Sequence, residues 1–147
     1  MIYELIVMEG EGIGLEVVPQ ALRIIKYVSQ LKNIEIKYSN YEVGISCYKK
    51  YQKYLPQEAK EHCDHLKHSN HGAILFGAVS DEPIGILRKE YDFFANIRPI
   101  KCHDNLLSIS PIKNNIVCHT DLCFVRELVG DIYYGLSKEG LTHNVKW

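Results

Sequence analysis

Between residues 3 and 79 the chain switches repeatedly between two hydrophobic patterns, and the order of the switches limits what it can fold into. "YELIVM" (3–8) is a short apolar run ended by glycines, which reads as a buried strand. "LEVVPQALRIIKYVSQL" (15–31) places Leu15, Val18, Leu22, Ile25, Val28 and Leu31 at helical spacing, with Pro19 in its early turns, where proline is best tolerated. "IEIKYSNY" (34–41) alternates apolar and polar residues as a half-covered strand does. "LPQEAKEHCDHLKHS" (55–69) opens on proline and early acids, so a helix follows. "GAILFGAV" (72–79) is a further buried strand. Strand, helix, strand, helix, strand predicts an α/β fold with a mainly parallel sheet flanked by helices. Past residue 95 the pattern changes: "LCFVREL" (122–128) and "DIYYGL" (131–136) read as strands with no long amphipathic helix between them.

Composition excludes several classes of function. Seventeen basic residues against eighteen acidic ones give a net charge of -1, so nothing points to nucleic acid or to an anionic membrane. No apolar run approaches the roughly 20 residues of a membrane span. The N-terminal "MIYELIVMEGEG" has no basic leader and reads as a strand, not a signal peptide. Five cysteines at 47, 63, 102, 118 and 123 show no framework spacing, so reduced thiols in a cytoplasmic protein are expected.

Three constellations could carry chemistry. "GEGIG" (10–14) follows a strand and opens a helix, the setting of a phosphate-binding turn, but Leu15 stands where a dinucleotide fingerprint needs its third glycine. A tight turn that needs glycine backbone angles accounts for it more simply. "EHCDHLKHSNH" gathers His62, Cys63, His65, His68 and His71 without a second ligand pair for a closed zinc site, so surface histidines are expected and no metal ligand is assigned. Arg98 and Arg126 each sit in an apolar, strand-like segment, with Arg88 ten residues before Arg98. If buried, they need anionic partners: Asp92 or Glu127 from the protein, or the carboxylates of a ligand, which the planar guanidinium fork suits. Local chemistry leaves both readings open.

Four stretches in one order, "GEGIGLEV", "ILFGAVS", "LRKEYDFFANIRPIK" and "VRELVGDIYYG", resemble the N-terminal portion of the β-decarboxylating dehydrogenases that act on isopropylmalate, isocitrate, homoisocitrate and tartrate. The last two stretches are the specific ones, and the likeness is greatest to the isopropylmalate branch. The resemblance implies a partial isopropylmalate dehydrogenase-like fold, with residues 1–94 as the first part of the large domain and 95–147 as the start of the smaller one. It implies that Arg88, Arg98 and Arg126 grip the carboxylates of a 2-hydroxy diacid and that Tyr133 donates the proton to the enol left by decarboxylation. Ile13, Gly77, Ala78 and Val79 fall at the cofactor positions. The family reaction is an NAD-dependent oxidative decarboxylation assisted by Mg²⁺ or Mn²⁺.

Family members run to more than twice this length, and their general-base lysine and three metal-binding aspartates lie after residue 147. The resemblance therefore implies a chain truncated before the C-terminal half. Its expected states are an inactive fragment, one half of a split enzyme (paired with a complementing half or as a homodimer), or a stand-alone diacid-binding module. Smaller departures are Glu11 for the family's aspartate, Leu15 for its proline, "VGD" (129–131) for its TGG, Tyr134 for its phenylalanine, and a shortened loop "SDEPIG" (80–85). Ile84 and Ile86, just before Arg88, imply an alkyl-substituted malate in preference to isocitrate, and Glu82 would repel a further anion.

Overall fold

The computed structural model describes residues 2–80 and 82–128. The chain divides into two compact units, residues 1–87 and 88–147.

The first unit is the α/β layer. Strand β1 (Ile2–Met8) leads into α1 (Gly14–Leu31), then β2 (Glu35–Asn40), α2 (Ile45–Tyr51), α3 (Gln57–Leu66), β3 (Gly72–Phe76) and α4 (Pro83–Glu90), whose last three residues fall in the second unit. The sheet is parallel in the order β2-β1-β3, with Leu5 level with Tyr38 and Ile6 level with Ile74. The predicted strands and the two long helices are present. Two short helices, α2 and α4, escaped the periodicity argument, because fewer than ten residues give too few turns to show a period.

Parity along β1 assigns the helices to faces. Tyr38, level with Leu5, carries Lys26 of α1 5.2 Å above its ring. Glu4, on the opposite parity, meets His62 of α3. The two helices therefore cover opposite faces, as expected when the chain reverses its direction across a parallel sheet. Between them Ile6, Val7 and Met8 are fully buried, with Val18, Val43, Cys47, Ala59 and Cys63 around them. Complete burial of one such side chain contributes about 1.5–3 kcal/mol. Only the middle of the α1 stripe packs inward: Val18 is buried, Leu22 and Ile25 are half-buried, and Leu15, Val28 and Leu31 are exposed. An 18-residue helix, about 27 Å long, outreaches strands of five to seven residues, about 17–23 Å long, so its ends have no sheet beneath them.

The second unit is an antiparallel ribbon of β4 (Ala95–Lys101) and β5 (Asp121–Glu127), joined through a 3₁₀ turn (Asp104–Ile109) and a short α5 (Asn114–Val117). Of the strands predicted past residue 95, 122–128 matches β5, and 131–136 lies outside the described residues. Burial, which would oblige Arg98 and Arg126 to find anionic partners, is not found, since both are exposed. Ile97 and Val125 on one ribbon face are 66% and 69% exposed, and Phe124 on the other is 53% exposed. Phe93 and Phe94 before β4 are exposed as well. Apolar residues on both faces of a strand read as burial in a sequence, but among the described residues no layer covers either face of this ribbon. All five cysteines are free thiols.

Candidate functional site

In the first unit, a candidate site lies at the carboxyl edge of the parallel sheet, where β1 and β3 are neighbours and the chain direction switches. Open α/β sheets place their ligands in this crevice. The turn after β1 depends on glycine. Gly10 and Gly12 have φ of +78° and +52°, in the left-handed region. A Cβ on Gly10 would run into the carbonyl oxygen of Ala78, and one on Gly77 into that of Glu9. The two loops are therefore in direct backbone contact: Glu11 N–H donates to Ala78 O at 2.6 Å and Gly77 N–H donates to Met8 O at 2.7 Å. The predicted cofactor residues meet here. Ile13, 58% exposed, stands on the α1 side, and Gly77, Ala78 and Val79 form the loop after β3.

Glu11 holds this edge together, a role no local pattern announced. Its Oε1 accepts from Ile45 N–H at 2.5 Å, at the start of α2, and its Oε2 accepts from the Ser80 hydroxyl at 2.5 Å and the Ser80 N–H at 3.3 Å. These bonds, from the Ser80 hydroxyl first and then from Ile45, hold the Glu11 carboxyl below its ordinary pKa. The glycine turn thus presents a carboxylate where a phosphate-binding turn would present bare N–H groups, in agreement with the tight-turn reading.

In the second unit, a separate candidate group is on the ribbon. In its register Asn96 is level with Arg126 and Arg98 is level with Phe124. Residues level with each other, and residues two apart on one strand, share a face. Arg98 and Arg126 are therefore diagonal neighbours on the same face, with Asn96 beside them. Asn96 Oδ1 accepts from Arg98 Nε at 3.3 Å, and Arg98 is exposed. Arg88 is half-buried in the last turn of α4, at the start of the second unit. Ile84 and Ile86, read as loop residues, are on α4. Tyr133 and the "VGD" and "IYYG" segments lie outside the described residues.

The histidine cluster is dispersed. His62 lies between Glu4 and Tyr41, with Nε2 3.2 Å from Glu4 Oε2 and Nδ1 3.1 Å from the Tyr41 hydroxyl. Among the described residues no group of three or more His, Cys, Asp or Glu side chains could hold a metal ion.

The sequence model for isocitrate/isopropylmalate dehydrogenase matches residues 4–145. The 3-isopropylmalate dehydrogenase of Buchnera aphidicola is 37% identical across 94% of this chain, and that of Aquifex aeolicus is 36% identical across 90%. These alignments span 41% and 39% of those enzymes, so the chain covers about two fifths of the length of its relatives. Among solved structures, the apo β-decarboxylating dehydrogenase of Thermococcus kodakarensis superposes with a TM-score of 0.61 at 27% identity, over 87% of this chain and 34% of that one. The chain belongs to the isocitrate/isopropylmalate dehydrogenase family.

Proposed function

We propose that this chain carries the cofactor edge and the diacid-gripping arm of an NAD-dependent β-decarboxylating dehydrogenase of the isopropylmalate type, and that residues 1–147 alone do not complete the reaction. The observation that carries the reading is the shared ribbon face of Arg98 and Arg126. Two guanidinium forks on diagonal positions suit a molecule with two carboxylates, each held by paired N–H donors. Arg88 is the third grip. Tyr133 is the proton donor to the enol carbon. Ile84 and Ile86 give the region before Arg88 an apolar character, which favours an alkyl-malate over a substrate with a third carboxylate.

The cofactor edge fits a nicotinamide. Ile13 supplies an exposed apolar surface, the Gly77–Val79 backbone supplies hydrogen-bonding groups, and the Glu11 carboxylate places negative charge near a ring that is cationic when oxidised. NAD, when bound, supplies the hydride acceptor. Among the described residues no set of side chains fits Mg²⁺ or Mn²⁺. The setting is a reducing, cytoplasmic one, and the partner is a second copy or a complementing half. An outward apolar stripe on α1, with Val17, Ile24, Tyr27 and Leu31 each at least 50% exposed, favours a covering partner.

Calorimetric titration with 3-isopropylmalate, together with an NADH assay containing Mg²⁺, tests the reading. Diacid binding without NADH production is the expected result. Metal-dependent NADH production by the homogeneous chain would refute the second half of the reading. Binding unchanged in an Arg98→Ala, Arg126→Ala double variant would refute the first.

A further inference from the structure

Apart from the Ile13–Gly77 edge and the arginine ribbon, a cavity of about 440 Å³ opens beside the carboxyl end of β2. That is a common size for a small-molecule site. Its walls come from residues 40–42 leaving β2, from Tyr51 and Lys53 at the end of α2, and from Gln57 and Glu58 in the first turn of α3.

These walls are fixed within the fold. Tyr41 N–H donates to Val7 O at 2.9 Å, and the Tyr41 hydroxyl is 3.1 Å from His62 Nδ1. Its hydrogen bond with His62 keeps the Glu4 carboxyl below its ordinary pKa, so Glu4 acts as an acceptor only. His62 then donates through Nε2 to Glu4 and accepts from the Tyr41 hydroxyl at Nδ1, which holds the Tyr41 ring in place. On the other side Gly44 N–H donates to Tyr54 O at 2.8 Å, and the Tyr54 ring stacks on Tyr48 at 4.6 Å. This fixes the connection that carries Lys53. Burial, followed by the charge of Glu58, pushes the Tyr41 phenol above its ordinary pKa, so Glu58 lies close to this wall and Tyr41 stays protonated.

The lining carries both signs of charge around aromatic surface. Lys53 is the cation, Glu42 and Glu58 are the anions, and Tyr41 and Tyr51 are the rings. Glu42 is already paired with Lys50 at 2.6 Å, which leaves Lys53 and Glu58 as the remaining charged residues of the lining. A pure anion would meet two carboxylates. A pure cation would meet Lys53. An apolar molecule would strand charges that need partners. A small zwitterion with a flat apolar body satisfies all three elements.

We propose that this cavity binds a free aromatic α-amino acid, with its carboxylate toward Lys53, its ammonium toward Glu58 and its side chain against the Tyr51 ring. The site is independent of the dehydrogenase reading, since neither NAD nor a diacid takes part.

The test is an amide NMR titration of the full chain with L-phenylalanine, alongside phenylalaninamide, which lacks the carboxylate, and 3-phenylpropionate, which lacks the ammonium. The Tyr41, Tyr51 and Gln57 amides should shift with phenylalanine, and each control should bind about tenfold more weakly or worse, as loss of a charge-assisted contact implies. Lys53→Met should weaken phenylalanine by a similar factor and leave phenylalaninamide unchanged, and Glu58→Gln should likewise weaken phenylalanine and leave 3-phenylpropionate unchanged. Lys53 and Glu58 are both exposed, so neither change disturbs the core. The proposal is overturned if those amides stay still at about 20 mM phenylalanine in a spectrum of folded protein. It is also overturned if the controls bind as well as phenylalanine, or if malate moves the amides and phenylalanine does not.

Discussion

Replacing Glu11 by glutamine keeps the size of the side chain and removes its charge, so it isolates what the carboxylate does at the sheet edge. In the wild type, one carboxylate oxygen accepts from Ile45 N–H and the other from the Ser80 hydroxyl and N–H. An amide has only one acceptor atom, so its N–H group faces either Ile45 N–H or the Ser80 side. The Ser80 hydroxyl can turn and accept from it, but the Ser80 N–H then loses its acceptor, and the bond to Ile45 N–H falls on a neutral oxygen in place of a charged one. A hydrogen bond to a charged acceptor contributes about 1.5–3 kcal/mol when sheltered. Glu11 is only half-buried, and water screens it, so about 1–2 kcal/mol is the appropriate figure. In a unit of this size each kcal/mol moves the melting midpoint by about 4–8 °C, so Glu11→Gln should melt at least about 4 °C lower at pH 7. The sign with pH follows from the lowered carboxyl pKa. The folded value lies below the unfolded one, so the contribution is fully present above the unfolded pKa, near 4.5, and is lost as pH falls through the folded value. Melting curves by circular dichroism should therefore draw together for the two proteins as the pH falls below about 4.5 and through the lowered folded value. Glu11→Asp, the residue of the resembled motif, is shorter by one methylene and should fall between them. Equal midpoints at neutral pH, or a difference that persists unchanged in acid, would show that the bridge is not holding the edge.

Two further outcomes are expected. Arg98→Lys keeps the charge but loses the planar two-point contact, so diacid affinity measured by calorimetry should fall about tenfold or more; unchanged affinity would make Arg98 a structural residue. Burial pushes the Cys63 thiol up to about 11 and raises the Cys47 thiol as well, so a thiol reagent at pH 8 should modify exposed Cys123 quickly and reach Cys47 and Cys63 only on denaturation. Rapid modification of Cys63 in the folded protein would contradict the packing around β1.

What the sequence revealed and what it hid divide by sequence distance. The period of each segment gave the strands and long helices, because a strand or helix stripe is written in neighbouring residues. The glycine turn was legible for the same reason: three glycines in five positions after a strand need few interpretations. Glu11 was not legible as a brace, since its partners are 34 and 69 residues away and neither Ile45 nor Ser80 is an unusual residue. The histidines were expected at the surface, and His65, His68 and His71 are exposed. What their crowding could not show is that His62 is half-buried and takes its partners from β1 and from the exit of β2.

The arginines show the same limit most sharply. The motifs around Arg98 and Arg126 identified the residues, but the sequence could not state their relation, which depends on register. In the observed pairing the residue numbers of level partners add to an even number, Ala95 with Glu127 and Asn96 with Arg126. Two even-numbered residues then share a face. A slip of a single residue would put Arg98 level with Val125 and send Arg126 to the opposite side of the ribbon. The same composition, the same strands and the same motifs would then offer two separate cations instead of a clamp. Nothing buried on either face of the ribbon enforces the observed register, since its apolar side chains are exposed on both. It rests on the backbone ladder and on the anchoring of its end, where Leu128 N–H donates to Phe94 O at 2.9 Å and Leu128 is itself buried. The proposed diacid clamp is therefore a property of strand pairing before it is a property of arginine.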